Sequence, residues 1–263
     1  MADSQNDPPK RPSILIINPN STPSMTASLE PLIQSLNLQT PPTLLTAPAP
    51  SPPSINSPAD AHHSAQITLT HLAAHPTLLT PHAGILVACY SPHPLVAALR
   101  SHPATGPVIG IFEASILASL ALLDASRGER FGIVSTGVIW ETVLSAGVKE
   151  FLGTRDADDV DATEGAPRGR FAGVTSTGLS AAELHEAPDG VVRERIMEAT
   201  RVLVRREGVR AVCLGCAGMV GMEGWVREAC VEVLGVERGG RVRVVDGVKA
   251  GLVWLEGVLR CGF

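Results

Sequence analysis

Apolar residues occur in short β-branched runs that alternate with stretches of helical periodicity along nearly the whole chain. Runs that are apolar at consecutive positions are typical of strands buried on both faces. The predicted strands, in chain order, are 13–19, 43–48, 83–91, 106–113, 130–137, 170–178, 209–218 and 241–247. Helical patterns lie between them, at 22–36, 59–76, 93–101, 114–126, 139–153, 180–207, 223–235 and 249–260. This alternation predicts an α/β fold whose parallel sheets are covered by helices.

Three segments interrupt the pattern. The stretch 41–58 holds seven prolines and is predicted to be a loop, although it overlaps the strand pattern at 43–48. Residues 1–12 are polar and lack the apolar core of a signal peptide, so we expect a disordered tail. The acidic stretch 156–165 lacks the glycine that a calcium loop needs, and it is interpreted as part of a solvated insertion over 154–170.

The composition narrows the classes of function. A chain of 263 residues has room for two lobes, and 44% hydrophobic residues suffice for a packed core. The net charge of −5, with no basic stripe, argues against a nucleic-acid partner. The sequence has no run of 18 apolar residues, so we expect no membrane-spanning helix. Five cysteines favour a reducing, cytoplasmic environment over a disulfide framework. The sequence does not determine the oligomeric state, and a homo-oligomer is one possibility.

Two pairs of short segments echo each other. "LVACYS" at 86–91 and "CLGCAG" at 213–218 both end an apolar strand on a cysteine between small or polar residues. "GIVSTG" at 132–137 and "GVTSTG" at 173–178 both end in Ser-Thr-Gly. Short matches also arise by chance, but together they favour two similar lobes.

Polar and thiol side chains collect where the predicted strands end. Ligands of open parallel sheets bind at the carboxyl ends of the strands. We therefore expect a ligand site formed by Asn18, Asn20, Cys89, Ser91, Ser135, Thr136 and Cys216.

Cys89 and Cys216 are the candidate catalytic residues. Each follows a strand and precedes a predicted helix, and a helix N-terminus lowers a thiol pKa from about 8.5 towards neutrality. A thiolate on one side of a carbon can remove a proton while a thiol on the other side delivers one, which is the chemistry of a two-base racemase without metal or cofactor. The alternative is that both are small core residues, since free cysteine is often buried.

Other candidate sites are weaker. Cys213 and Cys216 have C-x-x-C spacing, but no second pair exists and Cys213 lies inside a strand, which favours a core residue over a redox pair. His71 and His75 are four residues apart, a spacing that zinc ligands on a helix can have, but the glutamate of the metalloprotease motif is missing between them. We therefore expect them on the protein surface. Glu113 and Asp246 close predicted strands, where they either orient site residues or cap helices.

The order of several motifs identifies a family resemblance. The segments "ILIINPNST", "LVACYS", "GPVIGIFEAS", "CLGCAGM" and "VVDGV" resemble, in sequence order, the hydantoin racemase branch of the aspartate/glutamate racemase superfamily. The resemblance implies two pseudo-symmetric Rossmann-like lobes around a cleft, no cofactor, and one catalytic cysteine per lobe, carried over to Cys89 and Cys216. It also implies that the last helix returns to the first lobe, so that lobe 1 comprises 13–112 and 246–263 and lobe 2 comprises 113–245.

The resemblance also implies a small-molecule substrate. Members act on hydantoins or allantoin, and we expect racemisation by proton removal and return at the chiral carbon. Asn18 and Asn20 are expected to meet a polar ring, while an enolate oxygen is bound by the residues Tyr90, Ser91, Ser135, Thr136 and the backbone near Ala217. Two alternatives stay open: an amino-acid racemase or other isomerase of the superfamily, and a two-lobed ligand-binding or regulatory protein without catalysis.

One segment departs from the family pattern. The first cysteine is usually followed by an aromatic residue, a small residue and Asp-Pro-Gly, but here Pro92 replaces the acid and Pro94 replaces the glycine. His93 between them is expected to face solvent rather than to tune Cys89. The substrate is therefore less constrained by the resemblance than the type of reaction is.

Overall fold

The computed structural model describes residues 13–154 and 169–262. The predicted tail at 1–12 and the acidic stretch at 156–165 lie outside the described residues. No helix in the described part combines the length and apolar character needed to cross a membrane.

The strands form two four-stranded sheets in which every pair is parallel. The first has the order β2-β1-β3-β4 and comprises β1 Ser13–Asn18, β2 Pro42–Thr46, β3 His82–Val87 and β4 Val108–Gly110. The second has the order β6-β5-β7-β8 and comprises β5 Arg130–Ser135, β6 Phe171–Ser176, β7 Val209–Gly215 and β8 Arg243–Asp246. The same order occurs twice, so the two sheets are topological repeats and the predicted two-lobed α/β fold is confirmed.

Ten α-helices connect and cover these strands in the described part of the chain. They are α1 Pro23–Ala27, α2 Glu30–Ser35, α3 Pro58–Ala74, α4 Pro94–Arg100, α5 Ile111–Leu122, α6 Ile139–Leu152, α7 Glu183–Glu186, α8 Asp189–Val204, α9 Glu223–Gly240 and α10 Gly247–Cys261. A short 3-10 turn, Ala217–Met219, follows β7 directly.

The predicted single helix at 22–36 is wrong, because the chain forms two short helices there. Pro31 is near the start of α2, and α1 ends at Ala27. A proline has no N–H to donate to the carbonyl four residues back and its ring clashes with that carbonyl, so one continuous helix cannot pass through this point.

Two predicted boundaries are also corrected. The stretch 41–58 is not all loop, because β2 occupies 42–46 and pairs with β1. Pro42 is tolerated since it begins an edge strand. The strand predicted at 106–113 ends at Gly110, and Glu113 lies in the first turn of α5 rather than closing a strand.

The last helix connects the two sheets. β8 belongs to the second sheet, and α10, which follows it directly, packs against α5 and against β3 and β4 of the first sheet. Gly247 and Gly251 allow this close approach, since a Cβ would lie 2.4 Å from the carbonyl oxygen of Ile111 and 2.4 Å from Leu86 Cδ1, respectively. The lobe boundaries at 112/113 and 245/246 stay a prediction.

Candidate active site

A small cavity lies where the carboxyl ends of strands from both sheets meet. It is small, with a volume of about 50 Å³. Polar and ionisable lining side chains are those of Asn18, Asn20, Cys89, Tyr90, Thr136, His185 and Cys216, while Met25, Leu29, Ile55 and Trp140 supply apolar surface. Asn18 ends β1, Thr136 follows β5, and the cysteines follow β3 and β7.

Cys89 lines the cavity from the first lobe. Its Sγ lies 3.5 Å from the hydroxyl oxygen of Ser91. The pKa of the Cys89 thiol is raised to about 12, chiefly by burial. The Ser91 hydrogen bond opposes this shift, and the charges of Cys216 and Glu113 add to it. The predicted lowering of this pKa is wrong, because α4 begins only at Pro94 and its N-terminus does not hydrogen-bond the thiol.

Cys216 lines the same cavity from the second lobe. It is the first residue after β7, and its Sγ accepts a hydrogen bond from the Gly218 N–H at 3.4 Å. Burial raises the pKa of the Cys216 thiol to about 11, and the Gly218 N–H lowers it. The predicted lowering is therefore wrong here too, since one N–H of a three-residue turn does not offset desolvation.

The two asparagines form one network beneath the cavity. The buried Asn18 amide donates to Asn20 Oδ1 at 2.9 Å and to Thr26 Oγ1 at 2.8 Å, and its Oδ1 accepts from the Asn20 N–H at 3.3 Å. Asn20 Oδ1 also accepts from the Thr22 N–H at 3.0 Å, and its amide N–H lies 3.3 Å from Met25 Sδ. Asn18 therefore fixes Asn20, whose amide nitrogen faces only a weak sulfur acceptor.

Two of the predicted hydroxyl groups point into the scaffold. The Tyr90 hydroxyl is 2.7 Å from Ser115 Oγ, and its ring packs edge-on against Phe112. Ser135 is fully buried and donates to the Gly215 carbonyl at 3.0 Å. Tyr90 thus lines the cavity with its hydroxyl already bonded to Ser115, and Ser135 does not line it.

The other predicted oxygen-binding groups lie nearer to the cavity. Thr136 and Ala217 line it directly. Ser91 is buried and reaches the cavity through its contact with the Cys89 thiol. These three residues and Tyr90 are the members of the predicted oxygen-binding set that line the cavity or contact its thiols, whereas Ser135 does not line it.

The prediction that His93 faces solvent is wrong. Only 2% of His93 is exposed, and its Nδ1 accepts a hydrogen bond from the Leu95 N–H at 3.3 Å at the start of α4. Burial lowers the pKa of His93 to about 4. The neighbouring Pro92 is exposed, and its Cγ would lie 3.0 Å from a Cβ on Gly147 of α6.

His185 is a cavity residue that the sequence analysis missed. It lies on α7 at the rim of the cavity and is exposed. A Cβ placed on Gly218 would lie 2.8 Å from His185 Nε2 and 3.6 Å from Cys216 Sγ, so the imidazole and the thiol flank the same point. No local pattern signals this, because α7 follows the irregular segment 177–182 and its position depends on the fold.

The remaining candidates lie away from the cavity. Cys213 is buried in β7 with its Sγ 3.1 Å from Ser119 Oγ. Asp246 caps α10 by accepting from the Val248 and Lys249 N–H groups at 2.8 and 3.0 Å. Within 13–154 and 169–262, no group of three or more His, Cys, Asp or Glu side chains is arranged to hold a metal ion.

The chain is similar to known proteins over nearly its full length. The Asp/Glu/Hydantoin racemase family model matches residues 14–255. An uncharacterized protein of Schizosaccharomyces pombe is 33% identical over 94% of this chain and 92% of its own length. A hydantoin racemase of Rhizobium meliloti is 26% identical over 95% of this chain and 90% of its own.

A solved structure has the same fold. The allantoin racemase of Klebsiella pneumoniae superposes with a TM-score of 0.74 at 24% identity, covering 96% of this chain and 89% of that chain. The family model covers most of the chain, and the fold agrees with it. The chain therefore belongs to the Asp/Glu/hydantoin racemase family of isomerase enzymes.

Proposed function

We propose that this protein is a cofactor-independent racemase of a neutral hydantoin-like ring, a 5-substituted hydantoin or allantoin, with Cys89 and Cys216 as the two bases. One thiolate takes the proton from the chiral carbon as the electron pair moves onto the adjacent carbonyl, giving an enolate and a new S–H bond. The opposite thiol then returns a proton to the other face and becomes the thiolate.

The positions of the two cysteines support this two-base chemistry. β3 and β7 occupy equivalent places in the orders of their sheets, and each is followed by one of the cysteines. Both thiols line one small cavity from opposite lobes. A ring held between them would present one face of its chiral carbon to each sulfur.

The choice of a neutral substrate rests on the absence of Lys, Arg, Asp and Glu side chains from the described cavity wall. A free α-amino acid would bring an ammonium and a carboxylate into this space without charged partners, which is costly. A neutral ring needs only hydrogen bonds, which the Asn20 amide, the Thr136 hydroxyl and backbone groups can supply.

The turn after Cys216 offers groups for the enolate oxygen. Backbone N–H groups aimed at a developing oxyanion stabilise it without reorganisation. Ala217 and Gly218 line the cavity beside the thiol. The relatives named hydantoin racemase and allantoin racemase are consistent with this chemistry.

Proton exchange at the chiral carbon tests the proposal. One enantiomer each of allantoin, a 5-substituted hydantoin, aspartate and glutamate is incubated in D2O and followed by NMR and chiral chromatography. We expect exchange and racemisation of a neutral ring, lowered about 10²- to 10⁴-fold in Cys89→Ser and in Cys216→Ser.

The matched control is Cys261→Ser, because Cys261 is exposed on the last helix away from the cavity, and it should keep full activity. Rates are corrected for spontaneous racemisation of each substrate. Exchange of aspartate or glutamate alone would refute the neutral-ring substrate, and exchange that survives in both cavity variants would refute the two-thiol mechanism.

A further inference from the structure

His185 is the ionisable side chain at the cavity that the two-thiol chemistry leaves without a role. Besides the cysteines, the ionisable side chains lining the described cavity are Tyr90, whose hydroxyl bonds to Ser115, and His185. His185 Nε2 and Cys216 Sγ both lie within 4 Å of the point that a Cβ on Gly218 would occupy, which leaves room for one water to bridge them. His185 is also exposed, so it can exchange protons with bulk solvent.

A two-thiol racemase must begin each cycle with one thiolate and one thiol. Burial keeps both thiols protonated near neutral pH, so one proton has to leave before the first proton can be taken from the substrate. No lysine or arginine lines the described cavity to stabilise a thiolate. The proton therefore needs an acceptor that connects the cavity to solvent.

We propose that His185 takes up the proton of Cys216, so that Cys216 starts the cycle as the thiolate base and Cys89 as the thiol acid. The S–H bond of Cys216 breaks and an N–H bond forms at His185 Nε2, through one water, giving a thiolate and an imidazolium. The imidazolium releases its proton to solvent or returns it when the cycle ends. The catalytic purpose of this proton transfer rests on the proposed racemase function, whereas the positions of His185 and Cys216 do not depend on it.

The surroundings of the two thiols favour Cys216 as the one that ionises. Each sulfur has one hydrogen-bond partner, the Gly218 N–H for Cys216 and the Ser91 hydroxyl for Cys89, but Cys89 also lies near the charge of Glu113, which raises its pKa. The charged group that acts on His185 is Glu186 on its own helix, and Cys216 faces it across Gly218 from the turn after β7. Glu183 accepts from the Ser180 N–H instead. Partial desolvation of the ring lowers the pKa of His185, and the charge of Glu186 opposes this shift.

Alkylation of Cys216 tests the coupling without substrate. All variants are made in a Cys89→Ser background, and the rate of carbamidomethylation at Cys216 by iodoacetamide is followed by peptide mass spectrometry from pH 5 to 10. We expect an inflection at the imidazole's pKa, below which the rate falls because a protonated imidazole accepts no proton. His185→Gln should lose this inflection and react about tenfold more slowly at pH 7.5, the effect of one pKa unit in thiolate fraction.

His102→Gln is the control, because His102 is exposed and does not line the cavity; its rate should match that of the parent. A parent profile with only one high inflection, or an unchanged profile in His185→Gln, would overturn the proposal. The parent profile decides the matter even if the variant folds poorly. Because no substrate is present, failure here is separate from failure of the racemase function, which the deuterium exchange of the cysteine-intact protein reports.

Discussion

At the scale of single residues, burial rather than helix termini decides the state of the two thiols. The Cys216 thiol receives one backbone N–H, yet desolvation still raises its pKa to about 11. Cys89, bonded only to a hydroxyl, has its pKa raised to about 12. Both thiols are therefore neutral at rest, and a racemase built this way must generate its base within the cavity.

The raised thiol pKa values predict that stability falls at alkaline pH. The unfolded thiols ionise near 8.5, well below the folded values, so the stabilising effect of the protonated thiol is complete below about pH 8.5 and is lost as the pH rises towards 11 to 12. The loss is at most about 1.4 kcal/mol per pH unit for each thiol. Thermal unfolding of the parent and of Cys89→Ser from pH 7 to 10 measures it.

We expect the parent to lose stability more steeply above pH 8.5 than Cys89→Ser, because serine does not ionise in this range. The other cysteines and Tyr90 are common to both proteins, so they cancel in the difference. Parallel curves for the two proteins would show that the folded Cys89 pKa is not raised.

At the scale of elements, α10 joins the second sheet to the first. It follows β8 directly, is capped by Asp246, and buries an apolar face that includes Val248, Leu252 and Leu255. Its first residue, Gly247, lies against the start of α5. The relative position of the two lobes, and hence of the two thiols, depends in part on this contact.

Two glycines of α10 give a matched prediction. Gly247→Ala should destabilise the protein by about 1–3 kcal/mol, because the new Cβ would lie 2.4 Å from the carbonyl oxygen of Ile111, a backbone atom that cannot rotate away. Gly257→Ala meets nothing within 4 Å and should stabilise it by up to about 1 kcal/mol through helix propensity. Urea unfolding measures both, and equal effects at the two sites would contradict the packing argument.

At the scale of the whole molecule, the cavity exists only because residues at the strand ends of both sheets contribute to its wall. Asn18 and Cys89 come from the first lobe, and Thr136, His185 and Cys216 from the second. A ligand that contacts both sets stabilises the folded arrangement of the lobes. Its binding should therefore be visible as a gain in stability of the complete chain.

Ligand-dependent stability separates neutral rings from amino acids. In Cys89→Ser, used to suppress turnover, allantoin or a 5-substituted hydantoin at 100 times its Kd should add about 2.7 kcal/mol to the free energy of unfolding. Glutamate and aspartate should add nothing, because the described cavity wall offers their charges no partner. Melting temperatures against ligand concentration measure this, and stabilisation by an amino acid alone would reverse the assignment of substrate class.

Local pattern was enough to predict the fold and the order of the strands, although several predicted strands ran past their observed ends. Apolar runs alternating with helical periodicity predicted all eight strands, and the repeated small-Cys-small endings marked Cys89 and Cys216 before the structure placed them in one cavity. These features can be predicted locally, because the burial of a strand is reflected in the hydrophobicity of consecutive residues.

The tertiary structure alone decided which polar groups are free to act. His93 is buried and bonded to the Leu95 N–H at the start of α4, and His185 reaches the cavity because α7 packs against the turn after Cys216. The hydroxyls of Tyr90 and Ser135 bond to Ser115 and Gly215. The thiol pKa values likewise follow from desolvation by both lobes. Such properties depend on residues far apart in the chain, and so no local pattern contains them.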